Sequence, residues 1–235
     1  MRSIAKRSEP PIVRQHREAW QRECTAGIPG TTVARTRFND LEKTVPRNQL
    51  VAEQAGLCAF CLGRIRGEAP LPTGAGTKIA HVTPLSVDPT RIFAWDNLVG
   101  SCIGGTNTAP HCDRAQGEQI LHINPAAAVL VLEEHIDYSS KGVLRYRGPA
   151  TCGRNPDEIQ DEFDRVLKLN STRLKENRAI VLEEVHARLP RASGPWRAAD
   201  LDRAIKHWST VGPEGYVPYF CVAIAYLTKK RRAAT

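Results

Sequence analysis

The sequence predicts an α+β fold in which helical segments flank a small, metal-stabilised centre. Apolar residues recur at helical spacing toward both ends of the 235-residue chain. Residues 58 to about 125 instead carry short apolar pieces separated by Gly, Pro and Asn, and four of the seven cysteines lie there. We therefore expect an N-terminal helical segment (1–50), a cysteine-containing core (51–125) and a C-terminal region with a β-hairpin and helices (126–235).

The N-terminal segment has helix-like apolar spacing at residues 11–24 and again at 46–57. Between them, "AGIPGTT" combines Gly, Pro and Thr, which is typical of a loop. The sequence predicts two helices here.

The C-terminal region begins with "HIDYSSKGVLRYRG", which alternates around a Ser-Ser-Lys-Gly turn and predicts a hairpin at 135–148. Asn155 is then a candidate N-cap, and Pro156 fits the first helical position. Three further helices are predicted at 171–189, 197–209 and 216–231.

Composition indicates a globular protein, because 41% of the residues are hydrophobic and 25% are charged. The basic N-terminus has no apolar run behind it, and the stretch "YFCVAIAYL" is far shorter than the ~20 residues of a membrane span. We expect a cytoplasmic protein without a membrane partner. Thiols stay reduced in that compartment, so clustered cysteines favour a metal site over disulfides.

The net charge of +8 favours an anionic partner such as nucleic acid. The excess is +5 in residues 1–50, −1 in 51–125 and +4 in 126–235. If the centre acts on a polyanion, the flanks would hold it. The alternative is that the basic clusters are solvated helix faces.

Four central cysteines have the spacing of a metal site. Cys58 and Cys61 form a CxxC, and Cys102 and Cys112 follow as a wider C-x9-C pair across a Gly-rich loop. Four thiolates from two loops favour a structural zinc ion. The alternatives are a redox CxxC and a chance pair. The remaining cysteines, Cys24, Cys152 and Cys221, are interpreted as small core residues.

Three polar residues between and after these pairs are candidates for chemistry. His81 follows a short apolar strand pattern and precedes Pro84, Asn97 lies within "WDNL", and Asp113 follows the fourth cysteine where a helix could begin. A lone histidine is usually structural, and Asp113 could equally be an N-cap or a hydrogen-bond acceptor beside the zinc.

The ordered set CxxC, His, Asn, Cys and Cys-Asp resembles the HNH nucleases. More narrowly, it is similar to the HNH subunit of Septu-type and retron-associated antiphage defence systems. The similar stretches cover most of the chain: "LVAEQAGLCAFC", "IAHVTPLS", "WDNLVGSCIGG", "HCDRAQGEQILHINP", "KLNSTRLKENR" and "YVPYFCVAIAYLTKK".

The resemblance implies a ββα-metal core that hydrolyses phosphodiester bonds of DNA or RNA, tRNA included. His81 would be the general base, Asn97 would orient it or its loop, and Asp113 would hold a catalytic divalent ion, Mg²⁺ above all. Two positions depart from the family: Ala80 stands where an acid or histidine often helps to bind the metal, and Gln116 stands where a Lys or His is common. His111 could replace a missing ligand, bind the zinc, or lie in an exposed loop.

The same resemblance implies an ABC-type or SMC-like ATPase as the partner, with or without a retron reverse transcriptase and its DNA–RNA hybrid. A second interpretation is a catalytically weak or inactive, zinc-stabilised subunit that binds nucleic acid or assembles the complex. A third, a redox protein using its CxxC, would bind no zinc.

The C-terminal helix joins an apolar block, residues 219–227, to four basic residues, Lys229, Lys230, Arg231 and Arg232. The block predicts a core helix, with coverage by another subunit as the alternative. The basic residues could contact nucleic acid or an acidic face of the ATPase.

Overall fold

The structure is a computed structural model that describes residues 1–69, 76–127, 130–190 and 196–234. Within these ranges the chain is a mixed α+β fold with two small antiparallel sheets, so the predicted class is confirmed. None of the helices in the described ranges has the length and apolar character needed to cross a membrane.

The N-terminal segment contains three helices: α1 (Pro11–Thr25), α2 (Thr31–Asp40) and α3 (Thr44–Glu53). The prediction missed α2, whose buried residues are only Ala34 and Phe38, so its apolar stripe is too narrow to recognise. Helix α3 also ends earlier than predicted, because Ala55 and Gly56 have positive φ angles of 50° and 75°.

The centre contains strand β1 (Lys78–His81), strand β2 (Leu98–Ser101) and the short helix α4 (Asp113–Gln116). The two strands pair antiparallel, with His81 opposite Leu98 and Lys78 opposite Ser101. The chain between them forms two single-turn 3₁₀ segments, Pro89–Arg91 and Trp95–Asn97. His81 therefore lies where β1 ends and Asp113 where α4 begins.

The C-terminal region contains strands β3 (Ile136–Tyr138) and β4 (Leu144–Tyr146) and helices α5 (Pro156–Asp161), α6 (Thr172–Arg188), α7 (Ala198–Trp208) and α8 (Phe220–Ala233). A π-helical turn, Glu162–Val166, continues α5. The hairpin is as predicted, and Asn155 caps α5 through a reciprocal pair of hydrogen bonds with Glu158. Helix α8 begins later than predicted, because Pro218 disfavours helical geometry at the residue before it.

The buried residues of the described ranges form three clusters. One packs α1, α2 and α3 against Phe93, Trp95 and Leu98 of the centre. A second surrounds the central cysteines and includes residues of the β3–β4 hairpin and α5. The third joins α6, α7 and α8 to Leu57 and Leu62, so the apolar block of α8 is a core helix of this chain, as predicted.

The three outlying cysteines do not share one environment. Cys221 is buried in α8 and Cys24 is half-buried, but Cys152 is exposed. The prediction of a core residue is wrong for Cys152, because it lies at a tight turn with φ of 53° that directs it to solvent.

Candidate metal centre and adjoining histidine site

The four predicted cysteines converge in the centre of the fold. Cys58 and Cys61 lie in the turn after α3, Cys102 directly follows β2, and Cys112 is the N-cap of α4. All four Sγ atoms lie within 4.8 Å of one another, and three of the four residues are buried. Gly104 and Gly105, with φ of 77° and 74°, fold the long loop back so that Cys112 returns to Cys102.

The sulfur spacing fits a tetrahedral metal ion. The Sγ atoms of Cys58 and Cys112 are 3.9 Å apart, and those of Cys61 and Cys102 are 3.8 Å apart. Zinc–sulfur bonds of about 2.3 Å place tetrahedral ligands about 3.8 Å from each other. All four cysteines are free thiols rather than disulfides. The cluster could therefore hold a metal ion such as zinc.

Polar groups surround the sulfurs. The Gly63 amide donates a hydrogen bond to Cys61 Sγ at 3.4 Å, and Ser101 Oγ lies 3.8 Å from Cys58 Sγ. Burial raises the pKa of the Cys112 thiol. Burial also opposes ionisation of Cys58, but hydrogen bonds from the other three cysteines bring its pKa well below the usual value. A cation is the charge that would let all four ionise together.

His111 belongs to this cluster and not to the histidine site beyond it. Its Nδ1 lies 3.1 Å from Cys112 Sγ and 3.9 Å from Cys102 Sγ, and the side chain is buried. The structure thus places His111 as a hydrogen-bonding neighbour of the sulfurs. It is neither exposed nor directed at Asp113 as a further ligand.

The orientation of His81 identifies its proton-accepting atom. Its Nε2 lies 2.9 Å from the Ile92 carbonyl oxygen, which can only accept a hydrogen bond. Nε2 must therefore carry the hydrogen, and a neutral ring leaves its lone pair on Nδ1. No hydrogen bond joins Nδ1 to any residue in the described part of the chain.

The neutral form of His81 is favoured by its surroundings. The Phe38 ring of α2 packs edge-on against the imidazole, with centroids 4.5 Å apart. Burial lowers the pKa of His81 to about 4, and the negative charge of Asp113 acts in the opposite direction. At neutral pH this histidine can accept a proton from a reactant.

Asn97 acts on the loop that follows β1. It is fully buried; its Oδ1 accepts a hydrogen bond from the Thr83 amide at 2.7 Å, and its Nδ2 donates to the carbonyls of Thr83 and Arg91. These contacts hold the chain just after β1 and the residue that precedes Ile92, whose carbonyl His81 contacts. Asn97 is a positioning residue and does not itself contact the imidazole.

Asp113 is the first residue of α4 and forms an ion pair with Lys78, with Oδ2 and Nζ 3.1 Å apart. The Asp113 side chain is 25% exposed, so solvent reaches it. Gln116, one turn later, donates a hydrogen bond to the Val82 carbonyl at 2.8 Å and so fastens α4 to the end of β1. Ala80 faces the buried cluster around the cysteines. Ala80 has no ligand atom to offer beside Asp113, whereas Gln116 Oε1 is a buried oxygen without a hydrogen-bond partner in the described part of the chain.

Sequence reasoning missed three residues around His81: Lys78, Arg35 and Phe38. Arg35 lies on α2, is largely exposed, and its positive charge lowers the pKa of His81, so its guanidinium acts on this site. Lys78 lies three residues before His81 on β1, so the two side chains project to opposite faces of the strand, and Lys78 joins the site through its ion pair with Asp113. That ion pair spans distant parts of the chain and does not show in the sequence. The two α2 residues could not be found either, because that helix was not predicted.

No protein-family model matches the chain, and no curated protein matches it.

The cysteine cluster predicts about one zinc ion per purified chain. Cys58→Ser and Cys112→Ser should each lose the ion and unfold the centre, because metal binding energy is folding energy in such a site. Metal analysis by mass spectrometry and thermal denaturation would measure both effects. Cys152→Ser is the matched control and should keep the ion. Well-folded protein without metal would contradict the assignment.

The burial of His81 predicts that its imidazole stays neutral from about pH 7.5 down to about pH 5.5, whereas a histidine of the unfolded chain is protonated near pH 6.5. Histidine ring NMR spectra recorded against pH would show this, with His81→Gln identifying the resonance. A midpoint for His81 between about pH 6 and pH 7 would show that Phe38 and Ile92 do not enclose it as described.

Proposed function

We propose that this protein is an HNH-type, metal-dependent endonuclease that hydrolyses phosphodiester bonds. The single observation that carries the proposal is a neutral His81 with Nδ1 open, beside the carboxylate of Asp113 and the cations Lys78 and Arg35. The chain order β1, β2, α4, with the histidine on the first strand and the carboxylate at the helix start, supports the HNH assignment.

His81 is the general base in this proposal. Nδ1 takes a proton from water as the water oxygen attacks phosphorus, and the bond from phosphorus to the leaving oxygen breaks. The leaving oxygen then takes a proton from solvent. The imidazolium that forms keeps its Nε2–H bond to the Ile92 carbonyl and faces the negative charge of Asp113.

Asp113 would hold the divalent ion. A magnesium ion supplies positive charge that neutralises the phosphate and the departing oxygen. A single hard oxygen ligand suits Mg²⁺ when substrate phosphate provides others. The residues fit such an ion weakly, since Asp113 is engaged by Lys78 and Ala80 contributes no ligand.

The substrate class follows from charge. Lys78 and Arg35 are partly exposed cations, the first paired with Asp113 and the second acting on the pKa of His81, and the chain as a whole carries a net charge of +8. Both features favour a polyanion such as DNA or RNA. From the resemblance we further propose that the protein is the effector of a bacterial antiphage complex with an ABC-type ATPase, and that a zinc ion occupies the cysteine cluster.

A catalytically weak assembly subunit is the second candidate. The observation that favours it is the Lys78–Asp113 ion pair, because it engages the carboxylate that would otherwise bind the divalent ion. The two candidates differ in whether cleavage requires His81 together with an added divalent ion.

His81→Ala should abolish cleavage of nucleic acid, since it removes Nδ1, the atom that takes the proton from water in this proposal. Asp113→Asn should weaken cleavage by at least about tenfold and Asn97→Ala by a smaller factor, because Asn97 positions the loop only. Product formation on gels under saturating Mg²⁺ measures these rates. His207→Ala, an exposed histidine of α7, is the control. Unchanged cleavage by His81→Ala would overturn the nuclease assignment.

Lys78→Gln tests whether the Lys78 ammonium and a divalent ion compete for the Asp113 carboxylate. Removing the ammonium should tighten Mn²⁺ binding by about two- to fivefold, the range for loss of a partly exposed ion pair. Electron paramagnetic resonance of Mn²⁺ measures this without any activity. Lys175→Gln, on α6, serves as the matched control. Equal Mn²⁺ affinity in parent and Lys78→Gln would show that Asp113 does not hold the ion.

A further inference from the structure

A cleft of about 630 Å³ lies between the β3–β4 hairpin, α6 and α8. Its lining includes Arg145 and Arg147 of the hairpin, His186 of α6, and Tyr226, Lys229 and Lys230 of α8. No residue of the His81 site or of the cysteine cluster lines it. The cleft is therefore a separate feature of the molecule.

The cleft carries an excess of positive charge. Four cations line it, against two carboxylates, Asp137 and Glu183. None of the four cations forms an ion pair with a carboxylate of the described residues. The neighbouring Arg231 differs, because it pairs with Asp202 at 2.9 Å. The four cations remain available to an anionic ligand.

An aromatic side chain lies among these charges. The Tyr226 ring is half-buried, with the His186 ring 5.0 Å away on one side and Lys230 Nζ 5.6 Å from its centroid. Aromatic faces interleaved with cations are the combination that binds nucleobases and phosphates together. A site that bound only small anions would not need the aromatic ring of Tyr226.

We propose that this cleft binds a single-stranded segment of nucleic acid, with a base stacked on Tyr226 and backbone phosphates on the four cations. The volume lies within the range of sites that enclose a ligand-sized unit, about 300–1,000 Å³. A flexible strand can turn individual nucleotides into such a space, whereas a rigid duplex presents only its outer backbone.

The two pairs of cations enter the cleft from different elements of the fold, so a ligand can contact positive charge on two of its walls. Arg145 of β4 and Arg147, the residue just after β4, are two positions apart and both exposed, so they project to the same face of the hairpin, while Lys229 and Lys230 are adjacent near the end of α8. The binding does not depend on the cleavage activity, so the two proposals can fail separately.

The test is fluorescence anisotropy with a labelled single-stranded oligonucleotide, in protein carrying His81→Ala and without added divalent ion. The variants are Arg145→Gln with Arg147→Gln, and Lys229→Gln with Lys230→Gln. Each pair should weaken binding by at least about tenfold, and the slope of log affinity against log salt should fall by about 1.4, since each single-strand phosphate contact contributes about 0.7.

Two further variants separate charge from stacking. Tyr226→Phe should bind as the parent does, and Tyr226→Leu, which keeps an apolar side chain against α6, should lose about five- to a hundredfold in affinity. The matched control is Arg22→Gln with Lys168→Gln, two exposed cations outside the cleft. Thermal denaturation of every variant confirms the fold.

Three results would overturn the proposal. Unchanged affinity and salt slope in both cleft pairs would show that the strand binds elsewhere. An equal loss of affinity in the Arg22 and Lys168 control would show that the protein's net charge, and not the cleft, determines binding. Equal or tighter binding of a duplex of the same length would exclude the single-stranded assignment. Loss of cleavage in His81→Ala with intact cleft binding would leave this inference standing.

Discussion

The convergence of four cysteine sulfurs is the constraint on which the rest of the centre depends. The chain segments that bring them together have little regular structure: a tight turn, a strand end, a glycine loop and a one-turn helix. Regular backbone hydrogen bonding contributes little to ordering such segments, so they depend on the side chains buried around the sulfurs. Four ionised thiols this close together, three of them on buried cysteines, would repel one another. A cation reverses that repulsion, so a metal ion and the local fold stabilise each other.

The cysteine cluster and the histidine site are linked by adjacent residues and hydrogen bonds. Cys112 is the N-cap of α4, so fixing its sulfur fixes Asp113, the first residue of the helix. Gln116 at the end of the same turn holds the Val82 carbonyl and thereby the end of β1, where His81 lies. The Cys112 amide donates a hydrogen bond to the Leu167 carbonyl at 2.8 Å, which ties the cluster to the C-terminal region. A displacement of the cysteine cluster would therefore also displace the residues of the histidine site.

The sequence alone was sufficient to predict features that depend on residues close together in the chain. The CxxC turn, the short strand before His81, and the Asn155 cap each depend on neighbouring residues, and the structure contains all three. Features that depend on distant residues were missed. Helix α2 has too few buried residues to show a pattern, yet it supplies Phe38 against His81. The basic cleft joins β4 to α8, far apart in the chain, and only folding brings those charges together.

Burial of His81 has opposing consequences for the proposed chemistry. A pKa of about 4 keeps the imidazole neutral, but a base that weak takes a proton from water less readily than one near pH 7. The site must therefore stabilise the imidazolium, and Asp113 is the carboxylate placed to do so. While Lys78 pairs with Asp113 it screens that charge. A substrate phosphate that draws Lys78 toward itself would free the carboxylate for the imidazolium and a divalent ion, so in the proposed reaction the base becomes effective only when substrate is bound.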